Sequence, residues 1–394
     1  MSSLMVSRRV IIPDPVRIDR FKRLPELGPK LLFFSGGTAL NPLARTLKSY
    51  THNSHHLITP FDSGGSSAAL RQAFDMPAIG DLRSRLIALA DETVSGHPEV
   101  ARLFKYRLSK TGTPKELHRR LMRIVEAKDK LLADVHNPMR GLIQTQLEFF
   151  IEAMPEDFNL AGASIGNLIL AGGYLNNHRH LDPIIFLFSK LVNTLGHVTA
   201  ITDSNLHLAA RLENGSVVAG QHNMTGKETP SVVHPISDVF TIRSLEDPTP
   251  AKPSIHPRMG RIIADADLIC YPPGSFYSSL MANLLVEGVG RAAASNPNPK
   301  VYIPNLGKDP EQLGMSPRLA LEKIIAQLEA DIDAPVAASD LINFVVIDKS
   351  MADSFDANTF KQRGIHIIID DLVTKTSFPY YDPEKLVRIL LSLA

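Results

Sequence analysis

The chain has 394 residues, of which 44% are apolar, enough to bury a full core in one large domain or two lobes. Its 42 basic and 41 acidic residues give a formal net charge of +1, so no global electrostatic attraction to nucleic acid or to an anionic membrane exists. No apolar run approaches the ~20 residues of a membrane span, and the first nine residues lack the apolar core of a secretory signal. We therefore expect a cytoplasmic protein that binds neither nucleic acid nor membrane.

The first predicted strand ends in a glycine pair. Residues 30–34 form an apolar run, followed by the turn Gly36-Gly37-Thr38 and by a helix predicted over residues 41–48. Adjacent glycines allow backbone conformations that other residues avoid, and a helix N-terminus offers unpaired N–H groups and a positive dipole end. Because the turn matches neither G-x-G-x-x-G nor the P-loop, it indicates either a phosphate site or a plain strand-to-helix connection.

A second predicted strand, residues 56–61, ends in a loop that is rich in hydroxyls and glycine and contains one carboxylate. The loop reads Asp62-Ser63-Gly64-Gly65-Ser66-Ser67. Arg71 follows it, and residues 77–85 then place Asp81, Arg83 and Arg85 around a helix start. Asp81 is expected to cap that helix. For each arginine taken alone, a surface ion pair is the more common role than a contact with a ligand.

The middle of the chain changes character. Residues 91–154 carry many charges with apolar residues at helical spacing, which predicts a helical insert or cap. Gly166-Asn167 opens a further apolar helix, where Asn167 could either cap the helix or hold a nucleotide group. Asn214-Gly215 between two apolar runs predicts a small β-hairpin excursion, and the proline-rich residues 248–257 predict an extended connector.

A third strand, residues 268–271, ends in the turn Pro273-Gly274-Ser275 and opens a helix. Further strands are predicted at residues 198–201, 206–212, 301–303, 344–347 and 365–369. This alternation of strands and helices predicts an α/β fold, a Rossmann-like three-layer α/β/α sandwich with a mostly parallel sheet. Because loops that follow parallel strands meet at one edge of the sheet, the three turns should face one cleft.

The ordered motifs resemble the 2-phospho-L-lactate transferase (CofD) family together with its bacterial YvcK-type relatives. The opening Gly36-Gly37-Thr38 is similar to the family's Gly-Gly-Thr-Gly, and residues 62–67 are similar to the YvcK-type Asp-Asp-Gly-Gly-Ser-Ser. The other matching motifs, in family order, are Gly80-Asp81-Leu82-Arg83, Gly166-Asn167-Leu168, residues 212–218, residues 266–277 and residues 301–306. The resemblance implies an N-terminal extension, residues 1–30, and a single CofD-like α/β domain, residues 31–394.

Two functions are implied by this resemblance. As an enzyme, the chain would be a Mg²⁺-dependent transferase that moves a phospholactyl-type phosphoryl group from a nucleoside-diphosphate-activated donor to a hydroxyl acceptor, releasing a nucleoside monophosphate. As a YvcK-type regulator, it would bind a nucleotide sugar, such as a UDP-sugar, without turnover and act on carbon metabolism or cell-wall growth. A homodimer is also expected, since dimers are common among such folds.

The resemblance also implies roles for individual residues. Asp62 would be the metal-binding and hydroxyl-orienting carboxylate, and Arg83 would act with it on the diphosphate. The remaining nucleotide-binding residues would be Gly36, Gly37, Thr38, Ser63, Gly64, Gly65, Ser66, Ser67, Arg71, Asn167, Pro273, Gly274 and Ser275. The ligand would be a nucleotide or nucleoside-diphosphate small molecule.

Overall fold

The computed structural model describes residues 10–226 and 232–394. Its ten strands are β1 (Leu31–Ser35), β2 (His55–Ile58), β3 (His197–Ala200), β4 (His207–Leu212), β5 (Val217–Ala219), β6 (Ile236–Ile242), β7 (Leu268–Tyr271), β8 (Lys300–Tyr302), β9 (Phe344–Asp348) and β10 (His366–Asp370). Seven of them form one sheet in the order β10-β9-β8-β7-β1-β2-β3. Every pairing within this sheet is parallel, which confirms the predicted α/β fold.

The strand order reverses between β1 and β7. The chain runs outward through β2 and β3 on one side of β1 and returns to β7 on the other side. In open parallel sheets this reversal opens a crevice beyond the carboxyl ends of the two strands, where ligands bind. The turns after β1 and β7 are the first and third of the predicted glycine turns, so the topology places them side by side.

Several helices cover the two faces of the sheet, and the described residues form seventeen α-helices in all. They are α1 (Pro15–Arg23), α2 (Asn41–Leu47), α3 (Gly65–Phe74), α4 (Gly80–Leu89), α5 (Pro98–Lys105), α6 (Pro114–Val125), α7 (Lys130–Ala133), α8 (Met139–Ala153), α9 (Ile165–Asn176), α10 (Leu181–Leu191), α11 (Pro257–Ala264), α12 (Ala282–Leu284), α13 (Val289–Ser295), α14 (Pro317–Glu329), α15 (Ala338–Leu341), α16 (Ala357–Gln362) and α17 (Pro383–Leu393). A π-helical stretch, Phe276–Met281, leads into α12. No helix in the described ranges has the length and apolar character needed to cross a bilayer.

The strand β1 shows how the sheet separates two cores. All five of its residues are buried, as expected for a central strand of a parallel sheet. Leu31 and Phe33 pack in a cluster with apolar residues of α1, α2 and α17. Leu32 and Phe34, which point to the opposite face because side chains alternate along a strand, pack with residues of α11, α13 and α14.

Two excursions leave this sandwich. The first lies between β2 and β3 and contains α5 to α8 within the segment predicted as a helical insert. The second is a three-stranded antiparallel sheet in the order β5-β4-β6. The predicted hairpin is its β4–β5 pair, turning at Asn214-Gly215. The strand β6 was not predicted, since its residues do not alternate regularly between buried and exposed and follow no turn signal as clear as Asn-Gly.

One predicted strand is shorter than expected. The sequence predicts a strand over residues 56–61, whereas β2 ends at Ile58. Pro60 has no N–H to continue the ladder, and its carbonyl oxygen instead accepts a hydrogen bond from the Ala78 N–H at 2.9 Å. The chain therefore leaves the sheet before Asp62 and brings the Asp62 loop towards the start of α4.

Candidate functional site

A cavity of about 930 Å³ lies at the carboxyl edge of the parallel sheet. Its volume is at the upper end of the ~300–1,000 Å³ that is typical of small-molecule sites. The walls come from the turn after β1, the loop after β2 with the starts of α3 and α4, the turn after β7, the loop after β8, the end of the small antiparallel sheet, and the C-terminal segment. The cleft predicted from the three turns is thus one continuous cavity.

A buried arginine holds the turn after β1 in shape. Arg85 is fully buried, and its Nη2 donates hydrogen bonds to the carbonyl oxygens of Gly36 (3.3 Å) and Gly37 (3.1 Å). Burial lowers the pKa of Arg85 to about 10, which leaves the guanidinium charged at neutral pH. With both carbonyls turned towards Arg85, the turn presents Gly37 and Thr38 to the cavity.

Gly36 packs closely against the helix that follows β7. A Cβ atom at Gly36 would lie 2.3 Å from the Oγ and 2.6 Å from the Cβ of Ser279. We expect Gly36→Ala to lower the free energy of unfolding by about 2 kcal/mol, the usual cost of overpacking. Chemical denaturation measured by circular dichroism would test this, with Gly260→Ala as the control, because the nearest atom to a Cβ at Gly260 is 3.7 Å away. An unchanged midpoint for Gly36→Ala would contradict the close approach.

The second loop leads into the N-terminus of α3. The Oδ1 of Asp62 accepts a hydrogen bond from the Gly64 N–H at 3.1 Å, which folds the loop back on itself. No side chain caps α3, and its first residues, Gly65, Ser66 and Ser67, line the cavity together with Asp62. A helix N-terminus in this position attracts an anion through its N–H groups and its dipole.

Two predicted residues act on this loop without lining the cavity. Asn167 is fully buried, and its Nδ2 donates a hydrogen bond to the Ser66 Oγ at 2.9 Å. Ser63 is buried, and its Oγ lies 2.8 Å from the Nδ1 of His222. Asn167 therefore neither caps its own helix nor reaches the cavity, but it holds Ser66, which does.

Arg71 is also placed behind the loop. It is buried and donates hydrogen bonds to the carbonyl oxygens of Asp62 (3.2 Å) and Leu206 (2.7 Å) and to the Oδ1 of Asn205 (3.0 Å). These bonds tie the loop to the start of the small antiparallel sheet. Arg71 does not line the cavity. The structure therefore does not support the predicted contact between Arg71 and a nucleotide.

The start of α4 forms the next part of the wall. No side chain caps this helix, and Gly80, Asp81, Arg83 and Ser84 line the cavity. A Cβ at Gly80 would be 2.8 Å from the Ser67 Oγ and 3.8 Å from the Asp62 Oδ2. The N-termini of α3 and α4 therefore meet at the Asp62 carboxylate.

Two guanidinium groups, those of Arg83 and Arg107, belong to the same wall. Arg83 donates a hydrogen bond to the Ser164 Oγ, its Nε is buried without a partner in the described part of the chain, and burial together with the charge of Arg107 lowers its pKa to about 10. Within residues 10–226 and 232–394, neither arginine forms an ion pair with a carboxylate. Two like charges at a cavity wall favour an anionic ligand, which would relieve their repulsion.

The third turn differs from the first two. The N–H groups that open the helix after β7 are bonded to the chain's own side chains: that of Phe276 to the Asp309 Oδ2, and those of Tyr277 and Ser278 to the Glu311 Oε2, each at 2.8 Å. The Gly274 N–H donates to the Asn305 Oδ1 at 2.7 Å. Pro273, Gly274 and Ser275 do line the cavity, but carboxylates from the loop after β8 already occupy the anion position at this helix.

The structure brings together most of the predicted site residues. Those that line the cavity are Gly37, Thr38, Asp62, Gly64, Gly65, Ser66, Ser67, Arg83, Pro273, Gly274 and Ser275. Gly36, Ser63, Arg71 and Asn167 lie behind this wall.

Sequence reasoning missed further parts of the wall. They include Arg107 after α5, the His222 region beyond β5, the loop 305–310 after β8, and Tyr380 with its neighbours near the C-terminus. The rule that loops after parallel strands share an edge could have found the loop after β8. No local signal indicates His222 or Tyr380, because they reach the cavity only through the folding of distant segments.

The cavity wall offers the carboxylate oxygens that a hard divalent cation prefers. Asp62 and Asp81 both line the cavity, and in the described residues no group of three or more His, Cys, Asp or Glu side chains could hold a metal ion. Mg²⁺ commonly binds through one or two carboxylates plus the phosphates of a substrate, unlike metals held by a protein cage. The donor set therefore fits a cation shared with a bound diphosphate.

The chain is similar to known proteins over most of its length. A family model described as 2-phospho-L-lactate transferase CofD matches residues 31–374. The chain is 28% identical to the putative gluconeogenesis factor of Thermoanaerobacterium thermosulfurigenes, covering 93% of this chain and 97% of that protein. It is also 28% identical to the gluconeogenesis factor of Bacillus subtilis, covering 93% and 98%.

A solved structure shares the fold. A crystal structure of a UPF0052 family member from Bacillus halodurans matches with a TM-score of 0.67 and 24% identity, covering 92% of this chain and 99% of that one. At this identity the likeness supports the architecture alone.

Proposed function

The chain belongs to the 2-phospho-L-lactate transferase CofD family, and on that premise we propose that it binds a nucleoside-diphosphate compound, such as a nucleotide sugar, together with Mg²⁺ in the cavity. The observation that carries this proposal is the convergence, on one cavity wall, of two helix N-termini that have no side-chain cap and two arginines that have no carboxylate ion-pair partner, in both cases among the described residues. Such a wall has the donors and the positive potential that a diphosphate requires. We call this wall, formed by the starts of α3 and α4 with Arg83 and Arg107, the diphosphate wall.

Each group on the diphosphate wall has a defined task. The N–H groups at the start of α3 and the guanidinium of Arg83 would bind phosphate oxygens, while Arg85 keeps the first turn in shape. Asp62, held by the Gly64 N–H, would bind the metal ion or orient a hydroxyl group. When bound, Mg²⁺ would neutralise the charge of the diphosphate that the two arginines leave uncompensated.

The test is a titration of UDP, GDP and ADP, and of their sugar derivatives, with and without Mg²⁺. A ligand at about one hundred times its dissociation constant should raise the free energy of unfolding by roughly 2.7 kcal/mol, which a thermal-shift assay detects. A wild-type protein that none of these compounds stabilises would contradict the proposal.

Asp62→Asn should remove the Mg²⁺ dependence of binding. The amide keeps an oxygen that can accept the Gly64 N–H, so the loop should fold, but it loses the charge that a hard cation prefers. We expect nucleotide affinity in Mg²⁺ to fall to the level measured without Mg²⁺, by roughly 10- to 100-fold as read by isothermal titration calorimetry. Asp134→Asn, on an exposed residue far from the cavity wall, is the matched control. Undiminished Mg²⁺ dependence in Asp62→Asn would assign the cation to other ligands.

Transfer is the second candidate function. It is favoured by the family's description and by a cavity volume of about 930 Å³ that leaves space for a second ligand beside a nucleotide. In that reaction an acceptor hydroxyl would attack the phospholactyl phosphorus, its proton would pass to a carboxylate such as Asp62, and a nucleoside monophosphate would leave. Release of nucleoside monophosphate only when a flavin-like hydroxyl acceptor is added would support transfer. Binding without release would favour a regulator, in line with the name of the gluconeogenesis factors.

A further inference from the structure

The C-terminal segment supplies part of the cavity although it lies beyond the family match. The family model ends at residue 374, yet Tyr380, Tyr381, Pro383 and Leu386 line the cavity. The family model therefore does not include this part of the wall.

Tyr380 is an exposed aromatic residue of this segment that lines the cavity. Its side chain is 66% exposed although the residue lines the cavity. A Cβ atom at Gly307 would lie 2.8 Å from the Tyr380 Cε1, so the absence of a side chain at Gly307 lets the ring lie against the loop after β8. A large apolar ring at the mouth of a cavity, with free area beside it, is suited to stack on a flat ligand.

The segment that carries Tyr380 is held in place. The Tyr380 N–H donates to the Ser377 carbonyl oxygen at 2.8 Å, and the neighbouring Tyr381 is buried with its hydroxyl donating to the Pro304 carbonyl oxygen at 2.9 Å. Asp382 then caps α17 by accepting hydrogen bonds from the Glu384 and Lys385 N–H groups. A ring on a fixed backbone loses little conformational freedom when a ligand binds, which favours affinity.

The cavity also has an apolar part, in contrast to the diphosphate wall. Leu386 of α17 and Leu40, Pro42 and Leu43, at the start of α2, line the cavity. The helix α2 begins directly after the Gly37 turn and packs against α17. The apolar wall therefore adjoins the first glycine turn, where a molecule bound by its diphosphate would extend its remaining part.

We propose that the planar heteroaromatic base of the nucleotide stacks on Tyr380, with the apolar side chains of α2 and α17 around it. The inference rests on the proposed function, because it assumes that the diphosphate wall holds the diphosphate. It adds a role for a segment outside the family match and makes Tyr380 a determinant of ligand choice.

The experiment compares probes with and without a base. Inorganic pyrophosphate carries the diphosphate alone, whereas UDP, GDP and ADP add a base, and each is titrated by calorimetry in Mg²⁺ into the full-length wild type and variants. Tyr380→Ala should weaken binding of the best nucleoside diphosphate by about 5- to 100-fold, as expected for the loss of one base–aromatic stack, and leave pyrophosphate binding unchanged. Tyr380→Phe, which keeps the ring, should bind like wild type.

Phe378→Ala is the matched control. Phe378 lies on the same segment and is 76% exposed, but it is not part of the cavity wall, so its loss should change neither affinity. If wild type binds nucleoside diphosphates and Tyr380→Ala binds them equally well, the stacking proposal is overturned while the proposed function stands. If wild type binds neither pyrophosphate nor any nucleoside diphosphate, the proposed function fails and the stacking proposal fails with it. A parallel loss of pyrophosphate binding in Tyr380→Ala would show damage to the whole cavity and would likewise overturn the role of the ring.

Discussion

Arg83→Ala is expected to weaken the binding of a nucleoside diphosphate by about 100-fold, within the 2–5 kcal/mol that is typical when one partner of a desolvated charge pair is removed. The guanidinium lines the cavity, is held by Ser164 and has no carboxylate partner among the described residues. Its pKa of about 10 keeps the guanidinium charged throughout the neutral range, so Arg83 itself adds no pH dependence to binding between pH 6 and pH 8.

Calorimetric titration of wild type, Arg83→Ala and Arg83→Lys would measure this. The lysine variant keeps the charge but not the planar fork of donors, so it should recover only part of the affinity. Arg102→Ala is the control, since Arg102 is exposed on α5 and lies outside the cavity wall. Equal affinity of Arg83→Ala and wild type, with an unchanged circular dichroism spectrum, would remove Arg83 from the binding site.

Glu311→Ala is expected to lower the free energy of unfolding by about 3 kcal/mol. Glu311 is 1% exposed, its carboxylate accepts the Tyr277 and Ser278 N–H groups, and it also bonds the Ser278 hydroxyl. Removing the side chain leaves these buried donors without acceptors, and each such group costs ~1–3 kcal/mol. Glu311→Gln keeps an acceptor oxygen in the same place and should lose less than about 1 kcal/mol.

The same carboxyl group makes stability depend on pH. Burial and the neighbouring Asp309 raise the pKa of Glu311 from 4.5 to about 7 in the folded protein. Between these values the folded state holds a proton that the unfolded state has lost, so the free energy of unfolding falls as pH rises from 4.5 to about 7.

Urea denaturation followed by circular dichroism at several pH values would test both statements about Glu311. In Glu311→Gln the contribution of this group to the pH dependence should vanish, because the amide does not titrate. Glu329→Ala, on an exposed residue at the end of α14, should leave stability and its pH profile unchanged. A Glu311→Ala variant as stable as wild type would mean that the helix after β7 does not depend on this cap.

Much of the fold was predictable because its signals are local. The strands β1, β7, β8 and β9 are buried apolar runs whose bounds lie within one or two residues of the prediction. The hairpin at Asn214-Gly215 was predictable from its turn residues. The early end of β2 was missed although Pro60, a local signal, marks it. The third strand of the small sheet was not predictable, because it depends on pairing with β4.

The candidate site also has residues that were predictable from local signals and residues that were not. Gly37, Asp62 and the residues at the start of α3 were predictable, since each follows a recognisable strand and the carboxyl ends of parallel strands share an edge. Arg71 and Asn167 were predicted as ligand contacts, but the structure places them behind the loop, because whether a polar side chain faces a cavity or a backbone carbonyl depends on neighbours far away in the chain. That Asp309 and Glu311 occupy the helix N-terminus after β7 likewise depends on a contact across more than thirty residues.

The sequence by itself determined the class of fold, the positions of the polar turns and their gathering at one edge, because strand periodicity and glycine conformations act over a few residues. Only the tertiary structure decided which helix N-termini stay open to a ligand, which arginines hold the loops and which line the cavity, and that Tyr380 lines the cavity as well. Those outcomes depend on the packing of segments distant in the chain, and packing is a property of the whole fold.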